Sequence, residues 1–405
     1  MQVPPFDLSG QIADLGEELD QAVLSVLRSG QYIGGGIVSA FEAAFAASCT
    51  LPHVVGCNSG TDALILALRG LGIGPGDAVI TASFSFFATA EAISAVGATP
   101  VFVDVDPATY LVDLEQMEAA IGPATRALLP VHLFGRPVDM ERVCAMARRH
   151  GLQVVEDCAQ ACGAHWAGQA VGSWGDAAAF SFFPTKNLGA AGDGGAVACR
   201  DAAVACRVRQ LAIHGMPERY LHTELGLNSR LDAIQAAVLQ VKLPHLQRWL
   251  ALRRSHAAFY GEALEGIQGV TLPNPGPEGH SWNQFTLRVT ADPGRGGSDQ
   301  LPACRWPERR LPSAGFRDQL QAALRAQGVN TIIYYPIPIH RQPAYEDLGY
   351  GPGSLPVSES LAAQVLSLPI FPELTPLQRQ QVVKALRGPA ASSTHPARVS
   401  GREAA

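Results

Sequence analysis

Short apolar segments alternate with segments of helical periodicity along the first half of the chain. Apolar residues at helical spacing predict a helix over 11–29 that ends at the glycines beyond it, and a second helix is predicted around 41–47. The pattern then predicts strands at 54–57, 78–81, 100–105, 127–131 and 153–157, alternating with helices at 62–71, 88–96, 114–121 and 140–150. Because the strands are apolar and β-branched, this alternation predicts a mostly parallel sheet covered by helices on both faces.

The second half of the chain first extends this sheet and then changes its pattern. Apolar runs at 177–183 and 195–199 predict two further strands of the same sheet. A long helical region over 231–264 is expected to bend near Pro244. The following pattern predicts strands at 283–289 and 331–335 and helices at 316–327 and 358–365.

These elements predict two domains and a tail. The large α/β domain is expected over residues 1–250 and a smaller α+β domain over 251–388. A run rich in proline, glycine and arginine at 292–315 has the character of a surface insertion, and its function is not readable from the sequence. Residues 389–405 are rich in alanine, serine and proline, and we expect them to be disordered.

The bulk composition excludes several classes of protein. The chain has 405 residues, is 47% hydrophobic and carries a net charge of −6, without a basic patch that would favour nucleic acid or an anionic membrane. Neither a signal peptide nor an apolar run long enough to span a membrane is evident. The eight cysteines show no paired metal-binding spacing, so we expect reduced core cysteines, a cytoplasmic protein and no metal site.

Polar or aromatic groups follow four of the predicted strands. They are Thr61 after the first strand, Phe86 after the next, Asp157 at the end of a third, and Lys186 after a fourth. Ligands of such sheets bind at the carboxyl ends of the strands. We therefore expect these groups to converge on one edge of the sheet.

Lys186 lies between an aromatic, apolar segment and a run of glycines at 192–195. Enclosure removes water from a lysine, lowers its pKa and makes the amine nucleophilic. Such amines form Schiff bases with aldehydes, and pyridoxal phosphate (PLP) is one of these aldehydes. A lysine in a surface loop is an equally good interpretation of this stretch taken alone.

A phosphate site is suggested where the first strand of the sheet meets its helix. Gly60 and Thr61 begin that helix, where free N–H groups and the helix dipole attract anions. Ser181, five residues before Lys186, is close enough along the chain to reach the same phosphate. Taken one at a time, an ordinary helix cap and a satisfied core hydroxyl explain these residues as well.

Three other residues have the chemistry to hold a pyridine ring. Asp157 lies at the end of a buried strand and has the charge to pair with a pyridinium N–H. Gln160, one turn later, has an amide that could contact a ring oxygen, and Phe86 has an aromatic face that could stack on the ring. The alternatives are a helix-capping aspartate and a core phenylalanine.

Asn228 and Arg230 precede a long helix. The asparagine is by default an N-cap. Arg230 has the geometry to bind a carboxylate or a diphosphate, and a surface ion pair is its alternative. No single residue in this set is specific for a PLP site. The joint pattern is much more specific, because groups suited to the phosphate, the ring nitrogen, the ring face and the Schiff base follow one another along one sheet edge.

In combination, these motifs resemble the DegT-type nucleotide-sugar aminotransferases, which are fold-type-I PLP enzymes. The resemblance extends over about residues 6–386 and is carried by NSGTDAL at 58–64, EDCAQA at 156–161, FSFFPTK at 180–186, GDGG at 192–195 and NSRLDAIQAA at 228–237. It implies an α/β fold of type I, a PLP cofactor and a homodimer with two shared active sites.

The resemblance also assigns roles to residues. Lys186 would be the catalytic lysine that binds PLP covalently, Asp157 would bind the pyridine nitrogen and Gln160 would face the ring oxygen. Phe86 would be the stacking aromatic, and Gly60, Thr61 and Ser181 would hold the phosphate. Asn228 would complete the phosphate site of the neighbouring subunit.

The substrate implied is a nucleotide-linked keto sugar, with L-glutamate as the amino donor. The segments at 228–232 and 335–340 look most like members that aminate C3 of a UDP- or dTDP-linked 3-keto sugar, with Arg230, Tyr334 and Tyr335 as substrate-binding residues. Many relatives have histidine where this chain has Tyr334. A PLP-dependent sugar dehydratase is a weaker alternative because such relatives replace the lysine by histidine, and a non-catalytic regulator of the same fold is another.

Overall fold

The computed structural model describes residues 1–276, 278–290 and 315–388. The described helices are α1 (Ser9–Ser29), α2 (Gly35–Cys49), α3 (Gly60–Gly70), α4 (Ala88–Ala95), α5 (Leu114–Ala119), α6 (Met140–His150), α7 (Ala202–Leu211), α8 (Ala233–Lys242), α9 (Leu246–Ala263), α10 (Phe316–Ala326), α11 (Pro356–Gln364) and α12 (Pro376–Arg387). The described strands are β1 (His53–Cys57), β2 (Ala78–Ala82), β3 (Thr99–Val103), β4 (Thr125–Leu129), β5 (Gln153–Asp157), β6 (His165–Trp166), β7 (Gln169–Ala170), β8 (Ala177–Ser181), β9 (Gly195–Cys199), β10 (Val270–Thr271), β11 (Phe285–Val289) and β12 (Val365–Leu368).

A seven-stranded sheet is formed by strands between residues 53 and 199. Its strand order is β1-β9-β8-β5-β4-β2-β3, and every neighbouring pair is parallel except the two that involve β9. The prediction of a mostly parallel sheet is therefore confirmed. Alternate residues of the same strands enter two apolar clusters, Val55 and Ala179 in one and Val54 and Ala178 in the other, so each face of the sheet has its own core.

Several helices begin where the sequence offers side-chain caps. Ser59, Asp113, Asp139 and Asp201 accept backbone N–H groups of the first turns of α3, α5, α6 and α7. These caps fix the start of each helix directly after the loop that leaves the sheet. The predicted bend of the long helical region is also present, because a short 3₁₀ turn (Leu243–His245) separates α8 from α9.

The smaller sheet consists of β10, β11 and β12, which are antiparallel and pack with α9, α10 and α12 around an apolar core. The strand predicted at 331–335 is absent, and this prediction was wrong. The segment pairs with β12 only through Ile332 and Ser367. It then leaves the sheet, and the hydroxyl of Tyr335 bonds to Gln160, which follows β5 of the large sheet. The division of the chain at residue 250 stays a prediction.

Two expectations about cysteines and membranes can be compared with the described residues. Six cysteines there are free and buried, but Cys206 of α7 is exposed, so the prediction that it is a core residue was wrong. Among the described helices none is long and apolar enough to cross a bilayer. The predicted insertion at 292–315, except Gly315, and the predicted disordered tail at 389–405 lie outside the described residues.

Candidate active site

A narrow cradle is formed where β1 gives way to α3. Ser59 caps the helix by accepting the N–H of Asp62 at 3.1 Å, and Gly60 and Thr61 form its first turn. A Cβ atom on Gly60 would lie 2.7 Å from the Cβ of Ser181, and one on Gly195 would overlap the carbonyl oxygen of Ser59. The cradle therefore admits only glycine at these two positions. Its floor carries the N–H groups of a helix start, which have no intrahelical acceptors.

Lys186 lies in the turn that follows β8. Its backbone N–H donates to the carbonyl of Phe183 at 2.9 Å. Farther along, the buried ammonium of Lys242 donates to the carbonyl of Gly189 at 2.9 Å and holds the loop from the other side. Lys186 is half-buried, and desolvation lowers the pKa of its amine to about 8, partly opposed by the negative charge of Asp157. A lysine in an ordinary surface loop would not show this desolvation.

Asp157 ends β5 and is buried at the same edge of the sheet. Its Oδ2 accepts the hydroxyl of Thr89 at 2.8 Å, and its Oδ1 accepts the N–H of Ala159 at 3.1 Å. Burial raises the pKa of the carboxyl group, whereas the two hydrogen bonds and the charge of Lys186 oppose that rise. The carboxylate keeps unused lone pairs, because each oxygen has two and the described residues occupy one on each.

Gln160 connects three segments of the site. Its Oε1 accepts the N–H of Phe134 at 2.7 Å, and its Nε2 donates to the hydroxyl of Tyr335 at 2.8 Å. Burial raises the pKa of Tyr335, so the phenol stays protonated at neutral pH. One N–H of the Gln160 amide remains for a further acceptor.

Phe86 is 57% exposed, so the alternative that it is a core residue is wrong. Its ring centroid lies 5.9 Å from that of Tyr335, with the planes tilted by 38°. The two aromatic rings therefore lie side by side, with the ring of Phe86 open to solvent. Tyr334, next to Tyr335, lines a small cavity of about 60 Å³ together with Thr185.

Asn228 and Arg230 are not joined to Lys186 or Asp157 by any contact of the described chain. Asn228 is exposed, and α8 begins at Ala233 after Asp232, so the interpretation of Asn228 as its N-cap was wrong. Arg230 is half-buried and makes no ion pair with any described residue, so the surface ion pair is not found there.

The residue between Asn228 and Arg230 does contact the cradle. The buried Ser229 donates from Oγ to Asn58 Oδ1 at 3.2 Å and accepts the N–H of Asn58 at 3.4 Å. The segment that carries the two exposed side chains is thus fixed beside Gly60 and Thr61.

One buried group resembles a metal site in composition. His132, Glu156 and Cys158 place potential ligand atoms within 4.8 Å of one another. However, the Glu156 carboxylate already accepts the N–H groups of Gly172, Trp174 and Gly175 and a hydrogen bond with His132. Its lone pairs are occupied, and we interpret the group as a structural hub.

The sequence reasoning missed Thr89, Ser85 and Phe134. Thr89 lies in the first turns of α4, and nothing local distinguishes it from other helical threonines. Thr89 contacts Asp157 because the strand before α4 and the strand that ends at Asp157 belong to the same sheet, although they are far apart in the sequence. Gly195, which closes the cradle against Ser59, was noticed only as part of a glycine run.

Comparison with known proteins gives a consistent result. Residues 13–387 match the DegT/DnrJ/EryC1/StrS aminotransferase family. The chain is 46% identical over 389 residues to a pleiotropic regulatory protein of Geobacillus stearothermophilus, covering 95% of this chain and 98% of the relative. It is 46% identical over 387 residues to a dTDP-3-amino-3,4,6-trideoxy-alpha-D-glucose transaminase of Streptomyces venezuelae, covering 95% and 96%.

A third relative extends the range of nucleotides. The UDP-N-acetyl-3-dehydro-alpha-D-glucosamine 3-aminotransferase of Acidithiobacillus ferrooxidans is 45% identical over 386 residues, covering 95% of this chain and 97% of the relative. Among solved structures, S. venezuelae DesV superposes with a TM-score of 0.87 at 46% identity, covering 95% of this chain and 98% of that one.

Proposed function

Since this chain belongs to the DegT/DnrJ/EryC1/StrS aminotransferase family, whose aminotransferases depend on PLP, we propose that it transfers an amino group from L-glutamate to a nucleotide-linked keto sugar. The observation that carries the proposal is the desolvated amine of Lys186 at the sheet edge that also holds Asp157. The product would be an amino-sugar nucleotide for polysaccharide or related biosynthesis.

The described residues fit PLP. The cradle of Gly60 and Thr61, closed by Ser181 and Gly195, has the shape and N–H groups for a phosphate. Asp157 has a free lone pair for a protonated ring nitrogen, and Gln160 has a free N–H for a ring oxygen. We propose these contacts together with stacking on the exposed ring of Phe86.

In the proposed mechanism, Lys186 has two tasks. Its amine would hold the cofactor covalently, and as a free amine its Nζ would be the base that takes the proton from the donor Cα. In the second half of the cycle, the same Nζ supplies a proton to the sugar carbon that receives the amino group. When bound, PLP supplies an electron sink for these proton transfers. A pKa near 8 suits Lys186 to both proton transfers, because the amine can then lose or gain a proton near neutral pH.

Asp157 and Tyr335 support the proposed reaction without transferring protons themselves. The Asp157 anion would keep the ring nitrogen protonated by charge pairing in a buried setting. Tyr335, held by Gln160, would close one side of the site and exclude water from the reacting atoms.

For the substrate, we propose a 3-keto sugar linked to dTDP or UDP. The names of two relatives at 45–46% identity support this, because both refer to amino transfer at position 3, one on a dTDP sugar and the other on a UDP sugar. Arg230, Tyr334 and Tyr335 are the proposed substrate contacts. The guanidinium of Arg230, which makes no ion pair with the described residues, is available for a diphosphate or a carboxylate.

We further propose a homodimer with shared sites. Large exposed apolar side chains concentrate on and after α1 and in the segment before Asn228, and they include Leu24, Leu27, Tyr32, Ile33, Tyr220, Leu221 and Leu225. Exposed apolar surface of this extent favours association with another protein surface. The exposed Asn228 would complete the phosphate site of the second copy. The free cysteines support a reducing compartment, and we propose the cytoplasm.

The test uses the two half-reactions separately. Purified protein loaded with PLP is mixed with L-glutamate, and 2-oxoglutarate and the visible absorbance of the bound cofactor are measured. We expect 2-oxoglutarate to appear as the absorbance falls, and the absorbance to return when a dTDP- or UDP-linked 3-keto sugar is added. Lys186→Ala should lack the absorbance.

Retention of PLP without release of 2-oxoglutarate would contradict the proposal and favour a regulator, a function in the name of one relative. A sugar dehydratase is disfavoured by the lysine at position 186.

A further inference from the structure

Two buried hydroxyl groups form a short chain behind Asp157. Thr89 Oγ1 lies 2.8 Å from Asp157 Oδ2, and Ser85 Oγ lies 2.8 Å from Thr89 Oγ1. The three side chains are almost inaccessible, with 1% of Thr89, 4% of Ser85 and 5% of Asp157 exposed. Water therefore does not replace these contacts easily. Among the described residues, Thr89 is the single side chain that hydrogen-bonds this carboxylate.

The direction of these two hydrogen bonds follows from the number of protons that each group carries. An ionised carboxylate only accepts hydrogen bonds, so the one proton of the Thr89 hydroxyl must point at Asp157. The Thr89 oxygen then accepts the hydroxyl proton of Ser85. A protonated Asp157 would allow the opposite direction. With Asp157 ionised, Thr89 is thus a donor to Oδ2 that fixes where this oxygen lies.

Several groups determine the charge of Asp157. Burial disfavours the anion, while Lys186 and His132, when charged, favour it. Tyr335 and Cys158 are also near, and burial keeps both protonated at neutral pH. The carboxylate therefore depends on its two hydrogen-bond donors to offset the lost water, and Thr89 provides the one that a side-chain substitution can remove.

We propose that Thr89 is a positioning residue of the aminotransferase reaction, whose hydroxyl, oriented by Ser85, holds Asp157 as an anion directed at the pyridine nitrogen of PLP. The proposal rests on the function proposed above. Ser85 also directly precedes Phe86, so the same chain connects the stacking loop to the carboxylate. Without the Thr89 hydroxyl, the carboxylate accepts a proton more readily and the ring nitrogen loses its counter-charge.

The test compares Thr89→Val, which removes the hydroxyl at similar size, with Thr89→Ser, which keeps it. Three quantities are measured: the dissociation constant of PLP, the rate of the glutamate half-reaction against pH with PLP saturating, and the urea stability of the apoprotein. For Thr89→Val we expect about tenfold weaker PLP binding and an about tenfold slower half-reaction, the size of one lost hydrogen bond to a charge. The acid limb of the pH profile should move to higher pH. Thr89→Ser should stay within about twofold of the parent.

Two results would overturn the proposal. One is a PLP-saturated Thr89→Val protein with the half-reaction rate and pH profile of the parent. The other is equal impairment of the valine and serine variants together with equal loss of apoprotein stability, which indicates a purely structural role.

If Thr89→Val does not fold, Ser85→Ala gives the answer. It leaves Thr89 in place without its orienting donor, and we expect about threefold weaker PLP binding, whereas parental values overturn the proposal. If the parent binds PLP but forms no 2-oxoglutarate, the proposed function fails, and the PLP dissociation constants of the variants still decide the role of Thr89.

Discussion

The Nε2 of Gln160 donates a hydrogen bond to the hydroxyl of Tyr335 at 2.8 Å. Gln160 follows β5 of the large sheet, and Tyr335 lies in the segment that leaves the small sheet after Ile332. The same amide accepts the N–H of Phe134 through its oxygen. A single side chain therefore fixes the position of Tyr335 relative to the end of β5.

Replacing Tyr335 by phenylalanine removes this bond without removing the ring. We expect kcat/KM for the keto sugar to fall about tenfold, the effect of one buried hydrogen bond, with little change in PLP affinity. Steady-state kinetics and a PLP titration measure the two quantities. Tyr345→Phe is a matched control, because its hydroxyl bonds to Ser94 at 3.1 Å in a different apolar cluster. Equal kinetics for the two variants would show that the Gln160 contact has no role in the reaction.

Gly60→Ala should disrupt the phosphate cradle. The added Cβ would lie 2.7 Å from the Cβ of Ser181, closer than two carbon atoms can approach, so strand end and helix start must separate. We expect at least about a tenfold loss of PLP affinity, since a displaced helix start loses its N–H contacts with the phosphate. Gly16→Ala in α1 is the control, since nothing lies within 4 Å of its added Cβ. It should stabilise the protein by up to about 1 kcal/mol through helix propensity. Unchanged PLP binding in Gly60→Ala would contradict the cradle.

The reaction of the apoprotein with PLP should depend on pH through Lys186. Only the neutral amine attacks the aldehyde, and its pKa is lowered from the ordinary 10.5 to about 8. The rate of cofactor capture should therefore rise with pH around a midpoint near 8, as followed by stopped-flow absorbance. Asp157→Asn removes the charge that opposes this lowering, so its midpoint should lie below that of the parent. A midpoint near that of an exposed lysine would contradict the desolvation.

The same shift affects stability. Because the unfolded chain binds this proton more tightly than the folded one, the burial of Lys186 costs stability at pH below about 8. That cost decreases as the pH rises from about 8 toward the ordinary lysine pKa.

Arg253→Met should lower the free energy of unfolding by about 2–4 kcal/mol. The Nη1 group of this buried arginine donates to the carbonyls of Trp282, Asn283 and Ile370 at 3.0–3.3 Å, and methionine would leave these acceptors without a donor. Arg254→Met is the matched control, because this half-buried neighbour makes no hydrogen bond or ion pair with the described residues. Chemical denaturation of both variants measures the difference. Similar losses would show that the hydrogen bonds of Arg253 to the three carbonyls add no stability.

The sequence predicted the central sheet well, because each of its strands is a short apolar run between helices of clear periodicity. Val154 and Val155 identify β5, and the helix signal before them ends at His150 as predicted. The segment at 331–335 misled for a physical reason: its apolar and aromatic residues have the composition of a strand, but Tyr335 bonds to Gln160 beyond β5 instead of pairing along β12.

The sequence predicted the site residues that lie at strand ends, but it did not predict the residues that support them. The rule that ligands bind at the carboxyl ends of strands brought Asp157 and Lys186 together before any contact was known. Phe134 reaches the site because β4 lies beside β5, and Thr89 because β2 lies on the other side of β4 in the folded sheet order. A one-dimensional pattern does not encode that order, so their roles required the structure.

Glu156 and Asp157 are consecutive in β5 and point to opposite faces of the sheet. The first is saturated by four hydrogen bonds, and the second keeps lone pairs open. Deleting or inserting one residue within β5 would exchange the two faces and present the wrong carboxylate to the site. The length of this short strand is therefore constrained more tightly than the identity of its apolar residues. Evolutionary variation here should take the form of substitutions, with insertions and deletions confined to the loops beyond its ends.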